Sequence, residues 1–189
     1  MIPRFLLAIA LSALSLPACT ADEPATPPAD ESGPATTTAR DPSDRADANA
    51  RMVRVVDGDT IVVDVDGREE RVRLIGIDTP ESVAEERPDQ CYGVEASDEV
   101  KRLLPEGTEL VLERDVEPRD QYDRLLAYVY RAEDELFVNE VLVRDGFAGI
   151  LNYPPNDTDA ERFRSLEAAA RQQGTALWGV CGGPDEPLE

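Results

Sequence analysis

The sequence predicts an α+β domain that is mainly β: a small closed barrel of five strands carrying about three helices. Three observations predict it. Short runs rich in β-branched residues recur over 52–77 and are separated by Asp-Gly connections. Two further runs of the same kind follow at 108–116 and 124–132, and stretches with helical spacing are inserted between the strands and appended after them.

Each element has its own local reason. "MVRVV" (52–56) and "TIVVDVDG" (60–67) flank the tight connection Asp57-Gly58-Asp59, and "REERVRLIGI" (68–77) follows Asp66-Gly67, a strong hairpin signal. Together they make a three-stranded meander. "VEASDEVKRLL" (94–104) places Val94, Val100, Leu103 and Leu104 on one helical face. "TELVLERDV" and "RLLAYVYRA" are the fourth and fifth strands. "LFVNEVLVRDG" (136–146) reads as a short strand running into a helix that Gly146 stops. "DAERFRSLEAAARQQ" (159–173) is the last helix, with Asp159 at its N-cap and Gly174 closing it. Trp178 is expected to pack the tail down beside Cys181. Five strands with helices inserted and appended suggest a barrel of the OB type. There is no internal repeat.

The ends of the chain carry a different message. "MIPRFLLAIALSALSLPAC" has a basic start at Arg4 and an apolar run from Phe5 to Leu16, too short to span a bilayer and typical of a signal peptide, assigned to 1–18. Leu16-Pro17-Ala18-Cys19 resembles a bacterial lipobox, which would put lipid on Cys19 and make a membrane a partner; the alternative is plain secretion with cleavage near Ala18 or Ala21. Both predict export, to the cell-envelope surface as a lipoprotein or into the medium. Residues 19–50 are rich in Pro, Ala, Thr and Asp without apolar periodicity and read as a disordered tether. The folded domain is then 51–181, followed by an acidic tail over 182–189. In an oxidising compartment Cys91 and Cys181 are expected to form a disulfide. It would close a loop of about 90 residues, for which chain entropy allows at most roughly 4–5 kcal/mol. A pair of independent buried thiols is the alternative.

Charge restricts the function. The chain of 189 residues holds 19 Lys+Arg against 40 Asp+Glu, a net of −21, and the segment from Arg51 onward holds 33 acids against 16 bases, a net of −17. Nucleic-acid binding through a broad basic surface is disfavoured. An anionic substrate would have to be held locally, by a few arginines or by a bound cation. The acidity also has a bland reading, solubility in salty surroundings. The chain has no His, so imidazole catalysis is excluded.

Taken singly, the candidate site residues have ordinary explanations. Asp57-Gly58-Asp59-Thr60 makes a turn. Asp78-Thr79-Pro80-Glu81 makes a helix start, with Thr79 as N-cap and Pro80 at the first helical position. Arg73 and Arg124 suit a strand surface. Taken together they suggest chemistry. Asp59 leaves the first turn and Asp78 ends the third strand, so both fall at one end of the meander. Carboxylates plus a backbone carbonyl form a hard-oxygen cation site. Arg73 lies near the same end, and Glu81 follows on the next turn. A cation, guanidinium groups and a free carboxylate are what phosphodiester hydrolysis requires: the positive groups neutralise charge building on phosphorus, and the carboxylate orients or deprotonates water.

At this point a resemblance carries the reading further. "VVDGDTIVVDVDGREERVRLIGIDTPE", "DQYDRLLAYVY", "CYGVEAS", "VNEVLVRDGFA" and "ALW" resemble, in order and spacing, the staphylococcal nuclease (thermonuclease) family over Met52 to Trp178. The resemblance implies an OB barrel with three helices. It implies Asp59 and Asp78 as calcium ligands, joined by the Thr79 carbonyl; Arg73 and Arg124 as phosphate-binding, transition-state-stabilising residues; and Glu81 as general base or water-orienting group. Tyr122 matches the family tyrosine that contacts a terminal phosphate. The implied reaction is calcium-dependent cleavage of DNA or RNA between phosphorus and the 5′-oxygen, leaving 3′-phosphates. Gln121 stands where the family has a lysine. "ILNYPPN" is one residue shorter than the family's stretch with two pocket tyrosines, so that Tyr153 answers to one and Leu151 or Asn152 stands at the other. A monomer is expected. The alternatives are a catalytically silent OB module binding calcium or an oligonucleotide, and a surface protein whose acidic face binds many cations weakly.

Overall fold

The computed structural model describes residues 47–82 and 90–184. The expected signal peptide, Cys19, the tether as far as residue 46 and residues 185–189 of the tail lie outside the described residues. In chain order the elements are β1 (Ala50–Val55), β2 (Thr60–Val65), β3 (Arg68–Leu74), β4 (Ile77–Asp78), α1 (Gly93–Leu103), β5 (Glu109–Glu113), β6 (Leu125–Arg131), β7 (Leu136–Phe137), α2 (Val138–Arg144), β8 (Gly149–Ile150), α3 (Ala160–Gln173) and α4 (Leu177–Val180).

The β-branched runs pair as the meander requires. β2 lies antiparallel between β1 and β3, in a register running from Thr60↔Arg73 to Val65↔Arg68 on the β3 side. β5 pairs antiparallel with both β1 and β6. The parallel pairing of β3 with β6, Val72↔Leu125 through Leu74↔Ala127, closes the ring. The five-stranded barrel is therefore closed, mainly β, and consistent with the OB fold. Strand alternation sends Val72 and Leu74 into the core and leaves Arg71 exposed and Arg73 part-buried on the other face. Met52, Ile61, Val63, Val72, Leu74, Leu110 and Val129 fill the barrel, and Val138, Val141, Leu142 and Phe163 cover it from α2 and α3.

One buried amide stitches these layers together. Asn139, fully buried on α2, accepts from the Val129 N–H through Oδ1 (3.0 Å) and donates from Nδ2 to the Ile75 carbonyl (2.9 Å). It thus satisfies a backbone donor on β6 and a backbone acceptor just beyond β3.

Four local readings change in three dimensions. The third strand does not run on to Asp78. It stops at Leu74, because Gly76 turns the chain at φ +81°, and a Cβ there would lie 2.7 Å from the Phe163 ring. Asp78 instead belongs to β4, which pairs with β8 (Ile77↔Ile150, Asp78↔Gly149). Thr79 and Pro80 do not start a helix: residues 79–82 are irregular, and α1 begins at Gly93. The inward face of α1 is Ala96, Val100 and Leu103, with Leu104 behind them, whereas Val94 is exposed. Asp159 occupies the N-cap of α3 without a side-chain capping bond, while Gly174 closes that helix in the left-handed region as expected.

The Cys91–Cys181 disulfide is present, with Cα atoms 5.9 Å apart. Trp178 packs with Ala170, Leu177, Tyr92 and Cys181 in a small second cluster, so the segment around α4 is pinned to the start of α1.

Replacing Asn139 by Ala strands a buried N–H and a buried C=O in the same step. Denaturant unfolding of Asn139→Ala is expected to show a loss of about 2–4 kcal/mol. A loss below about 0.5 kcal/mol would show that these two backbone groups find other partners.

Candidate active site

The site grows out of the β1–β2 connection. Val56 and Asp57 donate their N–H groups to the Thr60 carbonyl (2.9 and 3.2 Å), and the Asp59 N–H donates to Asp57 Oδ1 (3.1 Å). This tight turn carries Asp59 inward until the residue is only 6% exposed. A carboxylate that far from water must be compensated, and three donors do so. Thr60 Oγ1 donates to Oδ1 (3.0 Å), the Thr79 N–H donates to Oδ2 (3.1 Å), and Arg73 Nη2 lies 3.0 Å from Oδ2. The same Nη2 donates to Asp78 Oδ1 (2.9 Å), while Nη1 donates to the carbonyls of Leu74 (2.6 Å) and Ile77 (2.9 Å). One guanidinium therefore ties the turn, the end of β3 and β4 together, and brings Asp59, Asp78 and Thr79 to one place.

Gly58 makes this convergence possible. A Cβ at that position would sit 2.7 Å from Thr79 Oγ1 and 3.0 Å from the Ala96 Cβ. Thr79 Oγ1, buried against that glycine, has no hydrogen-bond partner among the described residues.

Around this knot lies a cleft of about 260 Å³, lined among others by Asp57, Asp59, Arg73, Glu81, Tyr122 and Arg124. Leu151 and Tyr153 form part of its wall, as does Gln121. The sequence-predicted residues Asp59, Asp78, Thr79, Arg73, Glu81, Arg124, Tyr122 and Tyr153 thus assemble in and beside one cleft. Tyr122 is 72% exposed, and the Arg124 guanidinium carbon lies 5.5 Å from its ring centroid. Asn156 pins the loop bearing Tyr153, accepting from the Glu117 N–H (2.7 Å) and donating to the Glu117 carbonyl (2.9 Å).

Three participants were not singled out from the sequence. Asp57, read only as a turn residue, lines the cleft. Burial, and then the adjacent Asp59 charge, push its carboxyl up to about 7, and Glu81 adds to the repulsion. The Asp-x-Asp spacing was the available signal, since both side chains of such a turn can face one side. Asp120 holds Arg124: its Oδ2 accepts from Arg124 Nε (2.6 Å), and its Oδ1 accepts from the Tyr122 and Arg124 N–H groups (2.9 Å each). Burial alone would raise the Asp120 carboxyl, but these bonds outweigh it and hold the carboxyl below its usual range. Gln90 holds the backbone of Glu81, and no sequence pattern marks it.

The donor set suits a hard cation. The Asp59 and Asp78 carboxylates both reach Arg73 Nη2 beside the Thr79 amide, and Asp57 and Glu81 line the same cleft, which among the described residues two guanidinium groups, Arg73 and Arg124, also line. The raised Asp57 carboxyl reflects its burial first and this neighbouring charge second. Oxygen donors without nitrogen or sulfur favour calcium or magnesium over transition metals.

Fold and cleft define the class: an OB-barrel protein whose site sets clustered carboxylates against paired guanidinium groups. Comparison with known proteins agrees. The family model described as Staphylococcal nuclease homologue matches residues 71–180. The chain is 45% identical over 125 residues to a thermonuclease of Staphylococcus intermedius, covering 66% of this chain and 73% of that one. It is 42% identical over 128 residues to a thermonuclease of Staphylococcus hyicus, covering 68% and 74%. It is also 38% identical over 139 residues to endonuclease YncB of Bacillus subtilis (strain 168), covering 71% and 63%. The chain belongs to the staphylococcal nuclease homologue family.

Two measurements check this geometry. Gly58→Ala must displace Thr79 or Ala96, so its unfolding free energy is expected to fall by about 1–3 kcal/mol in denaturant titration; an unchanged value would refute the close approach. Asp120→Asn is expected to be less stable than the parent at pH 7. Because the folded Asp120 carboxyl is depressed, its contribution is present above its ordinary value of 3.8 and is lost as pH falls below it. The stability gap should therefore narrow in acid; a gap independent of pH between 7 and 3 would contradict the assignment.

Proposed function

We propose that the chain is a calcium-dependent nuclease, hydrolysing phosphodiester bonds of DNA or RNA to products with 3′-phosphates. The observation that carries this reading is the convergence of Arg73, Arg124 and Glu81 on the cleft where Asp59, Asp78 and Thr79 meet. Family membership and relatives named thermonuclease and endonuclease support it.

In this reading Asp59, Asp78 and the Thr79 carbonyl hold calcium, which would supply Lewis-acid neutralisation of phosphate charge. The remaining work belongs to the chain. Arg124 binds non-bridging phosphate oxygens through its Nη groups and Arg73, whose Nη groups are taken by Asp59, Asp78 and two carbonyls, through Nε, and both oppose the charge that grows on the five-coordinate phosphorus. Glu81 accepts a proton from the attacking water or orients it. The water oxygen bonds to phosphorus, the bond to the 5′-oxygen breaks, and that oxygen leaves as a hydroxyl after taking a proton from solvent water. Tyr122 and Tyr153 flank the substrate, while Gln121 supplies no charge where the family has a lysine. With a domain at −17, capture of long nucleic acid depends on these local groups more than on surface steering.

The disulfide supports an oxidising compartment, and with the leader expected from the sequence it favours an exported protein, tethered through lipid on Cys19 or secreted.

The test is cleavage of matched single-stranded DNA and RNA oligomers with calcium or chelator, followed by end-group analysis. The expected result is calcium-dependent cleavage with 3′-phosphate ends. Glu81→Gln and Arg124→Ala should each lower kcat by roughly 10²–10⁴-fold. Absence of calcium-dependent cleavage would leave the silent OB module, 5′-phosphate ends would overturn the cleavage mode, and several weak calcium sites insensitive to Asp59→Ala would favour the acidic-surface reading.

A further inference from the structure

Glu81 is exposed, so the aim of its side chain is inherited from its backbone. On its N-terminal side that backbone is anchored well: Pro80 is buried and Thr79 is bonded to Asp59. On its other side, among the described residues, Gln90 holds it. The Glu81 N–H donates to Gln90 Oε1 (2.7 Å), and the Glu81 carbonyl accepts from the Gln90 N–H (2.8 Å). Both polar groups of Glu81's main chain are thus taken by one partner nine positions along.

Gln90 is itself fixed. Its carbonyl accepts from the Gly93 N–H (3.0 Å) at the first turn of α1, and its neighbour Cys91 is bonded to Cys181. Cys181 is anchored in turn, donating its N–H to the Leu177 carbonyl (2.7 Å) and packing in the cluster of Leu177 and Trp178. Gly93 closes the assembly, since a Cβ there would lie 2.6 Å from the Glu81 carbonyl oxygen. A covalent path therefore runs from the end of the domain to the residue that grips Glu81.

We propose that Gln90, locked in place by the Cys91–Cys181 disulfide, is a positioning residue for Glu81. This rests on the reading of Glu81 as the group that accepts a proton from, or orients, the attacking water. The physical need is geometric. The carboxylate must meet a small nucleophile, and a displacement of about 1 Å costs on the order of 10²-fold in rate. The substrate phosphate is gripped by Arg73 and Arg124, which this clamp does not touch, so the effect falls on turnover rather than on affinity.

The experiment compares Gln90→Leu, which removes the acceptor, Gln90→Glu, which keeps one, and the double variant Cys91→Ser/Cys181→Ser, with Glu81→Gln as control. Four quantities are read: kcat, KM, the thermal midpoint, and hydrogen exchange of the Glu81 amide in the calcium-free protein. Gln90→Leu is expected to lose about 10- to 100-fold in kcat with KM changed less than about threefold, and its Glu81 amide to exchange at least about tenfold faster. Gln90→Glu should restore both to within a few-fold. The double serine variant, assayed well below its own midpoint, should share the kcat loss and the faster exchange. Native kcat in Gln90→Leu, or a loss that Gln90→Glu does not restore, overturns the proposal while an inactive Glu81→Gln leaves the nuclease reading standing. Native kcat in Glu81→Gln overturns the role of Glu81 and the clamp with it. Should Gln90→Leu not fold, exchange and kcat in the disulfide variant decide: native values there overturn the proposal.

Discussion

The burial of Asp59 is the constraint from which the rest of this architecture follows. A carboxylate this far from water is tolerated only when charge and hydrogen bonds replace its hydration. The groups that replace it are drawn from separate parts of the chain: the Thr60 hydroxyl beside it, the Thr79 amide from beyond β4, and the Arg73 guanidinium from β3. Satisfying one charge thus fixes three pieces of backbone relative to one another. Gly58 permits the closeness, Gly76 bends the chain so that Asp78 reaches the same guanidinium, and the closed barrel keeps Arg73 from moving away.

A second layer of contacts aims the groups on the rim. Asp120 takes the Arg124 side chain and the backbone around it, so that guanidinium enters the cleft in one orientation. The Glu70 carboxylate accepts from both Nη groups of Arg119 (3.0 Å each), which steadies the same turn from the barrel wall. Asn156 fixes the loop of Tyr153. The rim of the site is built from loops, yet each loop is tied by a polar side chain to a strand, to a neighbouring loop or to its own turn. This arrangement gives a small barrel precise geometry at its most solvent-accessible edge.

Much of the fold was legible because it rests on local rules. The Asp66-Gly67 turn and the β-branched runs around it forced a hairpin, with Asp66 at φ 53° and Gly67 at φ 80°. Gly146 and Gly174 ended helices where the pattern placed them. What was not legible depended on contacts between distant segments. The break after Leu74 reflects Phe163 of α3 crowding Gly76. The short strand at Asp78 exists because Gly149 arrives beside it. The outward turn of Val94 reflects where the barrel lies against α1, which periodicity alone does not reveal. Thr79 and Pro80 carried a helix-start pattern, but Thr79's amide is taken by Asp59 and Pro80 is buried, so the local preference yields to the site.

The sequence by itself determined the chemical inventory: two arginines and several carboxylates without histidine, in strands whose alternation and turns direct them toward one end. These are properties of residue type and spacing, and they do not need the third dimension. Only the tertiary structure decided which carboxylates meet, that Asp57 joins Asp59 and Glu81 around one cleft, and that Asp120 and Gln90 hold Arg124 and Glu81. The reason is that electrostatic coupling and hydrogen bonding act over a few ångströms in space. Twenty residues separate Asp59 from the Thr79 amide it binds, and ninety separate the two cysteines of the clamp.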